Sequence, residues 1–123
     1  RDELAPAATG LWSIDLRHGQ SRMLFSFADI ARLPHREPFS RGAKHWFNHL
    51  LFNPDGSRFI FLHRWRGEKE KAGFSTRMFT AARDGRDLHC LDPWGKTSHF
   101  IWRDPTHVLA WAWHPSHQDA FYL

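Results

Sequence analysis

His49-Leu50-Leu51-Phe52-Asn53-Pro54-Asp55-Gly56-Ser57-Arg58-Phe59-Ile60-Phe61-Leu62 is an apolar run, a turn and a second apolar run. It is echoed 50 residues later by His99-Phe100-Ile101-Trp102-Arg103-Asp104-Pro105-Thr106-His107-Val108-Leu109-Ala110-Trp111. Pro54-Asp55-Gly56 and Asp104-Pro105-Thr106 carry turn chemistry: proline presets φ, glycine tolerates positive φ, and aspartate bonds its own backbone. Each copy therefore predicts a hairpin. A second kind of hairpin is also duplicated. Leu11-Trp12-Ser13-Ile14-Asp15-Leu16-Arg17-His18-Gly19, followed by Met23-Leu24-Phe25, matches Arg77-Met78-Phe79-Thr80-Ala81-Ala82-Arg83-Asp84-Gly85, followed by Leu88-His89-Cys90-Leu91.

The two kinds alternate along the chain, with a period near 50 residues. Four-stranded units of about 40–50 residues are the repeats of β-propellers. The fold expected is all-β: a partial β-propeller, about two four-stranded antiparallel blades of a larger ring. Residues 1-123 then form a single propeller fragment. Residues 11-25 end one blade, 26-46 form a long rim loop, 47-91 make a complete blade and 97-123 start the next. A β-sandwich also has many short strands, but gives no reason for the hairpins to recur in this order. Phe121-Tyr122-Leu123 ends in mid-strand pattern, so both termini read as cuts. Blade edges left open would need the remaining blades of the same propeller to cover them.

Composition agrees with a β-rich domain: 41% of the 123 residues are hydrophobic, and seven Trp and eleven Phe suit pleated surfaces. Lys and Arg number 17 against 13 Asp and Glu, giving a formal charge of +4. This favours an anionic partner, while the lack of a five-residue basic run argues against nucleic acid. No apolar stretch approaches the roughly 18 residues of a membrane span. Cys90, the single cysteine, excludes an internal disulfide and, between Leu88 and Leu91, reads as a small buried residue. Compartment stays open.

The turns within both kinds of hairpin are short. Connections around Ser26 to Trp46, Trp65 to Thr76 and His114 to Asp119 read as long, and in an up-and-down blade they emerge on one face. Phe27 to Leu33, before Pro34, predicts a short helix, and Glu68-Lys69-Glu70-Lys71 a solvated loop. Long loops on a rigid frame are where chemistry tends to sit. His49 and His99 open their strands, His63 closes its strand and Arg77 opens the next, with Arg64 and Arg66 beside His63. All are expected at one rim, where guanidinium groups bind carboxylates and imidazoles take protons or ligate metal. Trp65, Trp94, Trp102, Trp111 and Trp113 read as packing residues, and His114 and His117 as further rim groups. CxxC, HExxH and Gly-rich phosphate motifs are missing from the sequence.

His49 to Arg58 resembles the repeats of TolB-like and WD40-like bacterial propellers. More narrowly, Phe61-Leu62-His63, Arg77-Met78-Phe79 and Ser98-His99-Phe100 resemble motifs of the oligogalacturonate lyase family, across about Lys44 to Trp113. That resemblance implies metal-assisted β-elimination on an acidic oligosaccharide, with a divalent ion, Mn2+, held largely by histidines. It implies a seven-bladed ring and makes His99 a metal ligand, His63 and Arg77 catalytic and His49 substrate-binding, while Arg64 and Arg66 read as substrate-binding from their place beside His63. The metal site would be incomplete in this chain. A non-catalytic β-propeller module that binds protein or glycan is the alternative.

Overall fold

The computed structural model describes residues 3–69 and 73–123. Glu70 and Lys71, half of the loop expected to be solvated, lie outside the described residues; Glu68 and Lys69 are exposed. Nine strands and one short helix are described: β1 (Gly10–Ile14), β2 (Ser21–Ser26), α1 (Phe27–Ala31), β3 (Lys44–Phe52), β4 (Arg58–Arg66), β5 (Ser75–Ala82), β6 (His89–Gly95), β7 (Phe100–Asp104), β8 (His107–His114) and β9 (Gln118–Tyr122). The protein is all-β, in three antiparallel sheets of two, four and three strands ordered as in the sequence: β1-β2, β3-β4-β5-β6 and β7-β8-β9. Among the described residues no sheet closes on itself.

Local chemistry explains the hairpins. Between β3 and β4, Asn53 Oδ1 accepts from Arg58 N at 3.0 Å, Asp55 Oδ1 accepts from Ser57 N at 2.9 Å, and Gly56 supplies φ 70°. Between β7 and β8, Asp104 Oδ1 accepts from the amides of Thr106 and His107, each at 2.9 Å. Asn53 Nδ2 also donates to Pro105 O at 3.1 Å, tying one turn to the other. The expected helix forms because Ser26 and Asp29 make a capping box, each side chain accepting from the other's amide at 3.0 Å. Pro34 follows soon after its end.

The middle sheet is covered on both faces, so β4 and β5 are buried nearly end to end. Successive residues of a strand face opposite sides. Phe59 and Phe61, with Phe79 and Ala81, pack against Leu11 of the first sheet and Ile30 of α1. Ile60, Leu62 and Met78 pack the other way, against Ala110 of the third sheet. That double burial accounts for a run without polar alternation in Phe59 to Leu62.

Three expectations need correction. His49 does not open a strand: β3 begins at Lys44, and His49 sits inside it at a bulge between Asn48 and Leu51, with φ 53°. The connection after His114 is a tight turn, not a long loop. There His117 N donates to His114 O at 3.2 Å, and Trp113 Nε1 donates to Gln118 Oε1 at 3.1 Å. Cys90 is exposed rather than buried, because β6 is an outer strand of its sheet. The strand bounds run wider than expected around the middle sheet, Lys44 to Gly95 against 47-91.

Candidate functional site

His63 and Arg77 are cross-strand partners on β4 and β5. Their side chains meet on the face turned toward the first sheet. Arg77 Nε donates to His63 Nδ1 at 3.0 Å, while its terminal nitrogens donate to Ile30 O at 2.6 Å and Pro34 O at 3.0 Å. Beyond His63 lies His45, whose Nδ1 is 2.9 Å from His63 Nε2. A guanidinium nitrogen can only donate, so His63 Nδ1 is an acceptor and its proton sits on Nε2. His63 Nε2–H therefore donates to His45 Nδ1, which places the His45 proton on Nε2. The three side chains form one directed chain.

That chain is sealed. His63 is 0% exposed and Arg77 1%. Phe39 closes it from the β2–β3 connection, its ring 4.7 Å from His45 and 6.1 Å from His63, with Arg77 Cζ 5.5 Å from its centroid. Burial, then the charge of Arg77, pushes His63 down to about 2. Burial and Arg77 also hold His45 below its ordinary value, and burial alone lowers Arg77. His63 is therefore neutral at any ordinary pH, and Arg77 remains the charge around which α1 and the middle sheet are tied.

A depressed histidine makes folding acid-sensitive. The unfolded chain takes up a proton at His63 as pH falls below about 6.5 while the native state does not, so stability drops by about 1.4 kcal/mol per pH unit there. Urea unfolding of the wild type between neutral pH and pH 5 is expected to show this slope, and a His63→Gln variant a flatter one. Equal slopes in the two proteins would refute the assignment of a buried neutral His63.

The remaining predicted residues are elsewhere. His49 and His99 are both exposed and line one depression of about 280 Å³ together with Leu50, Leu51, Ser98 and Phe100. Arg64 is buried on the opposite face of β4 from His63, toward the third sheet. Arg66 is exposed at the end of β4, opposite Lys44. The structure thus divides the expected cluster into a sealed pair, an exposed pair and two separate arginines. His45, which is not among the expected site residues, joins His63 instead; the aromatic pair Trp46-Phe47 beside it, well suited to a pleated strand, is the signal that could have placed it near a strand start.

Metal chemistry fits these residues poorly. Among the described residues no group of three or more His, Cys, Asp or Glu is placed to hold a metal ion. His99 Nδ1 already lies 2.9 Å from Ser98 Oγ. Manganese favours an octahedral shell, so such an ion would need ligands from outside the described residues. His114 and His117 flank Tyr122 at the β8–β9 turn, with ring centroids 6.2 and 6.4 Å from it, at the same end of the third sheet as the start of β7 that His99 precedes. No family model matches the chain, and neither the curated proteins nor the solved structures hold a match to it. Among the described residues no helix is long and apolar enough to cross a membrane.

Proposed function

We propose that the chain is a β-propeller segment that works as a non-catalytic binding module for an acidic oligosaccharide. The observation that carries this reading is the sealing of His63 and Arg77. A general base must reach the proton it removes, and a buried imidazole with both nitrogens engaged reaches none. Holding a hairpin stack together uses these two residues fully.

The propeller part draws on the succession of up-and-down sheets stacked face to face, with a four-stranded one in the middle. It also draws on the outer faces. Trp12 and Ile14 of the first sheet, and Ile101, Leu109 and Phe121 of the third, are exposed. Further blades of the same propeller would cover them. The formal charge of +4, with Lys44 and Arg66 exposed and adjacent at the loop end of the middle sheet, suits a polyanionic ligand.

The test is equilibrium binding of oligogalacturonate with and without manganese, together with ultraviolet absorbance for an unsaturated product. Binding that weakens with salt, needs no manganese and yields no product is the expected result. Absence of binding overturns the reading. So does manganese-dependent product, and if that activity vanishes in His99→Ala, the lyase-like β-elimination reading takes its place. The meeting of His49 with His99 in one depression is the observation that favours that second reading.

A further inference from the structure

Arg64 is the buried charge that the fold leaves unanswered. It is 9% exposed, and its Nε has no hydrogen-bond partner. Among the described residues its guanidinium meets the ring of Phe74, with Cζ 4.3 Å from the centroid, and no acceptor. The other arginines of the middle sheet that are not exposed are answered, while Arg66 lies open to solvent at the strand end. Arg77 has three acceptors, and Arg58 pairs with the Asp87 carboxylate at 2.5 Å and its carbonyl at 2.9 Å. Burying a cation without a counter-charge is costly. Burial lowers Arg64 from its ordinary value, yet a guanidinium does not give up its proton in a protein.

Beside Arg64 is a cavity of about 310 Å³ between the second and third sheets, lined also by Thr76, Lys96, Ser98 and Asp119. Thr76 and Lys96 are joined by a parallel β-bridge, which fixes the start of β5 against the segment leading to β7. Lys96 Nζ is 3.8 Å from Asp119 Oδ2, so these two charges offset each other. The lining is left with one uncompensated positive charge, and it belongs to Arg64.

We propose that this cavity binds the carboxylate of a small monocarboxylic acid on Arg64. A planar guanidinium presents paired donors that match a carboxylate's two oxygens, and Thr76 and Ser98 line the same space. A single negative charge brings the lining to neutrality. A phosphate dianion would leave an excess negative charge beside Asp119. The site does not depend on the oligosaccharide reading, because a carboxylate on any small molecule satisfies it.

Acetate is the probe, added to the whole chain while the Arg64 Nε–H resonance is followed. Inorganic phosphate is the comparison, at matched ionic strength and a pH of about 8, where phosphate is a dianion. Arg64→Lys removes and so assigns the resonance. The expected result is a saturable shift with acetate at lower concentration than with phosphate. A rise in Tm with acetate, present in the wild type and lost in Arg64→Met, follows from ligand linkage. No saturable shift with acetate, phosphate saturating first, or an undiminished rise in Tm in Arg64→Met would each overturn the proposal. Oligogalacturonate plays no part in these measurements, so their failure leaves the oligosaccharide reading to its own test.

Discussion

Replacing Phe61 by Ala is expected to cost about 3–5 kcal/mol of unfolding free energy, the range for deleting a buried phenyl ring. Phe61 is 0% exposed and stands where the first two sheets meet. Its ring stacks on Phe79 at 5.4 Å within the middle sheet and on Phe25 of the first sheet at 5.8 Å, and it meets Phe47 edge-on at 5.1 Å. Removing it empties a space walled by rigid rings on three strands, which leaves little chance of collapse into the gap. Single small domains have only about 5–15 kcal/mol to lose. In urea the midpoint should fall sharply with an unchanged slope, because the surface exposed on unfolding is nearly the same. A loss under about 1 kcal/mol, the size of an ordinary surface change, would mean that the first sheet does not pack on the second in solution.

A comparison with Ile60→Ala separates the two interfaces. Ile60 is next in the strand but faces the third sheet, beside Leu62, Met78 and Ala110. Losses at both positions would show that the middle sheet is held from both sides. That is the condition under which stacked sheets of two, four and three strands act as one folding unit.

The hairpins were legible in the sequence because their signals are local: Asn53 to Ser57 and Asp104 to His107 hold their turns with bonds spanning two to five residues. The helix was legible in the Phe27 to Leu33 segment before Pro34, and the cap of Ser26 and Asp29 that starts it is just as local. The candidate site was not legible. A bulge at His49 and Leu50 shifts the pairing of β3, and a one-residue change of register sends every later side chain to the other face. Strand position counted from His49 therefore misplaced it and hid His45. Arg77 was read as a free cation, yet its acceptors, Ile30 O and Pro34 O, lie 47 and 43 residues away in sequence. Bonds over that range are set by how the helix docks, which no spacing rule encodes. Arg64 and His63 are neighbours in sequence, and the strand's own alternation puts them on opposite faces.

Arg77→Met is the second large effect, expected to cost about 2–4 kcal/mol. Methionine keeps most of the volume of the stem but supplies no donor, so His63 Nδ1, Ile30 O and Pro34 O lose a partner, at about 1–3 kcal/mol for each acceptor left fully buried and unmatched. Ile30 O retains the Leu33 amide at 3.1 Å and Pro34 O is only part-buried, so the penalty concentrates on His63. Relief of the desolvation of a buried cation works in the other direction, which keeps the total below the sum of three orphaned acceptors. Lysine at the same place retains the charge, but a compact ammonium cannot serve three acceptors spread over a fork, and Arg77→Lys should be destabilised as well. The pH profile distinguishes this account from mere loss of packing. Without the adjacent cation His63 is less strongly depressed, so the interval in which the unfolded chain binds an extra proton narrows from its acidic end. Arg77→Met should therefore lose less further stability on acidification than the wild type does. Its ligand binding, measured where the variant is still folded, should match the wild type, since a residue that only ties α1 to the middle sheet has no direct part in holding an oligosaccharide.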